Sequence, residues 1–149
     1  MGCYLRYLVD GQKEITLDII ETALQRGDPR YQLEGKDPEN ERAVLKLGSE
    51  IFGELEVNRR GSELMDEELE ELFEEIEGAE GDSTEDVKRL IRGCLCMVVV
   101  RVLWQGRDTE STLQGIDPLW EWLFSEYSGL LLAEGEGYYD SNGQVLALA

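Results

Sequence analysis

The sequence predicts an α+β domain, an antiparallel-rich sheet with helices on one face. Three observations carry that expectation. Cys94 to Trp104 is an almost unbroken apolar run containing a Val98-Val99-Val100 triplet, which fits a strand buried on both faces. Elsewhere apolar residues recur at helical spacing around Leu17 to Arg26, Leu64 to Ile76 and Leu119 to Tyr127. Short strand-forming runs separated by glycine-containing turns flank these stretches at both ends of the chain. At 149 residues, the chain is long enough for one domain with a single sizeable core.

Taken in order, Cys3 to Val9 reads as a strand ended by Asp10-Gly11. Thr16 can cap a helix over Leu17 to Arg26, in which Leu17, Ile20, Ala23 and Leu24 share a face. Gly27-Asp28-Pro29 ends it. Tyr31 to Glu34 reads as a short strand and Lys36 to Arg42 as a charged loop. Ala43 to Leu47 and Ile51 to Asn58 form a hairpin around Gly48-Ser49. Between Thr84 and Trp104 two structures compete, because Val87, Leu90, Ile91, Cys94, Val98 and Val102 also fit one long helix. Gly93 weakens a helix interior and the Val triplet prefers a strand, which favours a helix over Thr84 to Arg92 and then a central strand.

Asp117-Pro118 looks like a helix start, with Asp as the cap and Pro at the first position. Leu119, Trp120, Leu123, Phe124 and Tyr127 then make one apolar face, and Gly129 is placed to close the helix. Leu130 to Tyr139 and Gln144 to Ala149 read as paired strands turned through Asp140-Ser141-Asn142-Gly143.

Leu5 to Gly11 lines up with Val100 to Gly106, sharing Arg, Leu and Gly at matching steps. The simplest account is two related strand-helix-strand-strand halves, residues 1–60 and 94–149, joined by an acidic helical connector over residues 61–93. This order of elements resembles the duplicated architecture of gyrase-inhibitor-like and effector-binding domains. The resemblance implies a cleft between the halves that holds apolar or cationic ligands with the help of an acidic residue. It rests on element order alone and transfers no residue roles.

The formal charge is −19. Such a surface opposes nucleic-acid phosphates and anionic membranes, so neither is an expected partner. No run approaches the ~20 apolar residues of a membrane span. No secretory signal is visible, and three cysteines without framework spacing fit a reducing, cytoplasmic compartment. Cys94 and Cys96 are expected on one strand face as buried thiols. The chain has no histidine, no GxGxxG and no GxxxxGK[ST]. Glu80 to Asp86 lacks the alternating ligands of an EF-hand. Neither a cofactor nor a metal is expected, and a non-enzymatic protein is.

Thirteen of the acidic residues fall between Gly61 and Asp86, where there is no Lys or Arg. This stretch reads as an amphipathic helix with an acidic outer face, including Glu70, Glu71 and Glu74. That face can dock a basic protein or simply keep the domain soluble. Trp122 lies away from the apolar side of its helix and is either an exposed anchor or packed under a neighbouring element. Glu54 and Glu56 are expected on one side of their strand together with Phe52. Glu134 and Glu136 flank Gly135 on a later strand, just before Tyr138. Carboxylates beside aromatics suit an organic cation, or form the wet side of a sheet. The leading expectation is an interaction domain whose acidic surface binds a basic protein. The alternatives are a small-molecule sensor for an organic cation or apolar ligand, and an enzyme working through carboxylates alone.

Overall fold

A computed structural model describes residues 3–79 and 83–148; the start of the Glu80 to Asp86 loop lies outside the described residues. The elements are β1 (Cys3–Asp10), α1 (Leu17–Gly27), β2 (Tyr31–Asp37), β3 (Arg42–Leu47), β4 (Glu50–Arg59), α2 (Glu63–Glu77), α3 (Thr84–Gly93), β5 (Cys96–Val102), α4 (Thr109–Glu126), β6 (Ser128–Ala133), β7 (Gly137–Asp140) and β8 (Gly143–Ala147). The fold is α+β, as expected. The strands form one antiparallel sheet in the order β2-β3-β4-β5-β1-β6-β7-β8. The break after Gly93 is real: α3 ends there and β5 becomes a central strand.

The helices are not confined to one face. Tyr7 and Val9 of β1, with Val98 and Val100 of β5, pack among α1 and α4 residues. Their neighbours Leu8, Met97 and Val99 point the other way, among Met65, Leu69 and Ile76 of α2 and Val87 and Ile91 of α3. Successive strand residues alternate sides, so a central strand that is apolar throughout needs cover on both. The apolar stripe of the acidic helix supplies the second cover. The α2–α3 layer leaves the outer side of β2, β3 and β4 bare.

The two halves share the sheet through a β1–β5 ladder running from Cys3↔Val102 to Val9↔Cys96. The meander β2-β3-β4 joins the central pair through its last strand, β4, whereas β6-β7-β8 joins through its first, β6. Each meander therefore pairs with the central strand of the other half.

Four local expectations change. α4 starts at Thr109, capped by Asp108, whose side chain accepts from the Ser111 N–H at 2.7 Å. Pro118 lies inside it and removes the bond the Gln114 carbonyl would have accepted. The Tyr31 hydroxyl donates to the next carbonyl along, that of Gly115, at 2.7 Å. Gly129 is no helix cap but a β6 residue opposite Val9, where a Cβ would overlap the Leu8 carbonyl oxygen of β1. Leu130 to Tyr139 is two strands, β6 and β7, folded back at Glu134-Gly135-Glu136 with Gly135 at φ 79°. Finally, Cys94 and Cys96 face opposite layers, because Cys94 caps α3 and only Cys96 belongs to β5.

Candidate functional site

The acidic helix α2 begins at Ser62, whose hydroxyl oxygen accepts from the Met65 N–H at 3.2 Å. Met65, Leu69, Leu72 and Ile76 are buried at spacings of four, three and four, which fixes the opposite side outward. Phe73 lies against α3, with Arg92 and Lys88 over its ring at 4.8 and 5.9 Å. On the inner edge, Glu68 is paired with Arg6 of β1. Glu67, Glu70, Glu71, Glu74 and Glu75 are exposed, and none makes an ion pair with a described residue.

The other candidate carboxylates lie elsewhere. Glu54 and Glu56 occupy the bare outer side of the sheet, where Arg101 donates to Glu54 at 2.6 Å and Arg42 sits 3.2 Å from Glu56. Lys46 and Glu34 add a further pair at 2.8 Å. Phe52 does not accompany them. A β-bulge in β4 opposite Leu45 and Lys46 of β3 leaves Phe52 as the extra residue and shifts the register, turning Phe52 into the α1–α4 core beside Gly53. Gly53 is needed there because a Cβ would come within 2.7 Å of Val100 Cγ1 and 2.9 Å of the Arg101 carbonyl oxygen.

Glu134 and Glu136 are exposed on the β6–β7 turn, not on a strand. Tyr138 is fully buried in the α2–α3 core and faces away from them. Burial pushes its phenol well above the ordinary tyrosine range. Its neighbour Tyr139 faces the α4 side, where its hydroxyl donates to Glu136 at 3.5 Å. Trp122 is half-buried, edge-on to Tyr127 with ring centroids 5.4 Å apart, and packs against the α1–α4 core. The Trp122 anchor and the α2 acids thus belong to opposite layers. Apart from Glu54 with Glu56, Glu134 with Glu136 and the α2 trio, the expected site residues are not brought together.

One concavity combines residues that were not singled out from the sequence. Asp117, Trp120, Glu121, Phe124 and Ser125 form one row along α4 and face Leu131, Tyr139, Asp140 and Ser141 across a groove of about 550 Å³. A helix start at Asp117 would occupy its carboxylate with capping. With α4 beginning nine residues earlier, the side chain is free to line the groove. A compositional signal was present: no Lys or Arg follows Arg107, although eight acids do.

Burial pushes the Cys94 and Cys96 thiols up to about 11, so neither is a thiolate at neutral pH. Among the described residues, no three Cys, Asp or Glu side chains converge to hold a metal ion. No described helix is long and apolar enough to cross a membrane. No family model matches the chain, and no curated protein or solved structure matches it.

Proposed function

We propose that the chain is a non-enzymatic interaction domain whose α2 face receives a basic protein partner. The observation that supports this most is the contrast in ion pairing. Acids on the outer side of β2, β3 and β4 are matched by Arg42, Lys46 and Arg101. Glu67, Glu70, Glu71, Glu74 and Glu75 stand together on one helix with no matching cation among the described residues. The helix therefore carries a repulsive field that a basic surface would relieve, and such fields speed encounter and select partners by charge. Three free thiols, two of them buried, support a reducing cytoplasmic setting.

The reading is tested with an oligolysine peptide as probe, titrated by calorimetry at low and high salt. Two quadruple variants of equal net charge are compared: Glu67, Glu70, Glu71 and Glu74 to Gln, and Glu14, Glu39, Glu50 and Glu110 to Gln. The α2 variant is expected to lose about tenfold or more in affinity at low salt, while the control loses far less. Equal losses in both would make the attraction a property of net charge, and the α2 face would cease to be the site.

A further inference from the structure

The groove beside α4 is on the opposite side of the sheet from α2, and its chemistry is different. Trp120, Phe124, Leu131 and Tyr139 give it apolar and aromatic walls, while Asp117, Glu121 and Asp140 supply carboxylates. No Lys or Arg lines it. None of the three carboxylates makes an ion pair with a described residue. At about 550 Å³ it is within the size range of small-molecule sites, and it is open to solvent on one side.

We propose that this groove is a binding site for a small organic cation, an alkyl- or arylammonium compound whose apolar body lies on Trp120, Phe124 and Tyr139 and whose charge is met by Asp117, Glu121 and Asp140. The lining selects by exclusion as well as by attraction. An anion would face three carboxylates. A neutral apolar molecule would dehydrate those carboxylates and give nothing back. An ammonium group offsets their charge and is also attracted by aromatic faces, the more strongly the drier the site.

The walls are set before any ligand arrives. Trp120 is almost wholly buried, so its ring is held by the core. The Asp140 carboxylate accepts from the Asn142 N–H at 2.8 Å, and Gln144 donates to the Tyr139 hydroxyl at 3.4 Å. Asp117 is exposed on α4, one turn before Glu121. Partial desolvation in the groove, and then the neighbouring charge of Glu121, hold its carboxyl above the usual aspartate range. A cation placed between them removes that penalty. These residues are distinct from the acidic helix, so this inference and the basic-partner reading stand or fall separately.

The test uses the full chain with benzyltrimethylammonium as probe and its uncharged carbon isostere, neopentylbenzene, as control. Binding is followed by calorimetry and by chemical-shift changes at the Trp120 indole. The cation is expected to bind and to shift Trp120, whereas the isostere binds at least about tenfold more weakly. Glu121→Gln and Asp117→Asn, both near-isosteric, are each expected to weaken the cation severalfold with their circular dichroism unchanged. The quadruple α2 variant is expected to bind the cation as the parent does. The proposal is overturned by no binding at millimolar cation, by equal binding of the isostere, or by a shift map that leaves Trp120 untouched. Loss of binding in the α2 variant alone would equally overturn it, by moving the cation site to the helix.

Discussion

The two helical layers solve the same problem in different ways. The α1–α4 layer is fastened by specific polar contacts inside an apolar core. The Tyr7 hydroxyl bridges to the Leu123 and Tyr127 carbonyls at 3.3 and 3.2 Å, and Tyr31 and Tyr127 donate to the Gly115 and Glu14 carbonyls at 2.7 Å each. Gly115 brings α4 directly onto the Phe52 ring. The α2–α3 layer is held by its apolar stripe, by the Arg6–Glu68 pair, by the two cations over Phe73 and, at the end of α3, by Arg60, which donates to the Cys94 and Ile91 carbonyls at 2.7 and 2.9 Å. Its outer face carries like charges that oppose the helix they sit on. The first layer is fixed by hydrogen bonds as well as packing, while the second carries exposed like charges that cost it stability.

The comparison breaks most visibly if α2 is only an appended charged arm. Ile76 is fully buried in the α2–α3 core, as Ile20 is in the α1–α4 core. Truncating either to Ala is expected to cost about 2–5 kcal/mol in denaturant unfolding. A single cooperative transition shifted in both variants would show that the two layers unfold together. Should Ile76→Ala match the parent within about 0.5 kcal/mol while Ile20→Ala is severe, the second layer contributes nothing to the core.

A smaller effect tests the close approach in the first layer. Alanine is favoured over glycine inside a helix by up to about 1 kcal/mol. At position 115, however, the added Cβ would overlap the Phe52 ring, itself held under Arg107 at 4.1 Å from the ring centroid. Overpacking of that kind costs about 1–3 kcal/mol, so Gly115→Ala is expected to be destabilising despite its better propensity. Combining it with Phe52→Leu should cost less than the two changes added, since the second relieves the first. A Gly115→Ala protein more stable than the parent would show that α4 has room to lift away.

Which parts of this were legible in the sequence follows from where the signal is local. Thr16 as a cap, the Gly48 hairpin, the break at Gly93 and the Asp140–Gly143 turn are set by residues within a few positions of one another, and all are found in the structure. The first half of α4 is hard to read because two of its three buried positions, Thr112 and Gly115, are small, which leaves Ile116 as the only large buried apolar residue ahead of Pro118. Asp117-Pro118 then supplied a persuasive false start. The bulge that turns Phe52 inward and the fold-back at Glu134 to Glu136 depend on partners in other strands. The groove joins the middle of α4 to the far side of that fold-back, so neither segment shows it alone.

The sharpest version of the comparison is one of sign. Glu70 and Glu74 are one helical turn apart, exposed, and without a cation partner among the described residues. Replacing both by Gln is expected to raise stability by about 0.2–0.5 kcal/mol, the usual size of an i,i+4 repulsion. The gain should shrink as salt is added, because it is a screened surface term. Glu54 and Glu56 have the same charge, the first exposed and the second half-buried, but they meet Arg101 and Arg42. Their replacement by Gln is expected to lower stability by at most about 1 kcal/mol, the range of exposed pairs. Opposite signs from two identical chemical changes, measured by urea unfolding at low and high salt, would separate carboxylates already matched from those left over. A loss of stability at Glu70 and Glu74 would mean that they too are matched within the fold. The α2 face would then have no charge to offer a partner, whatever its composition.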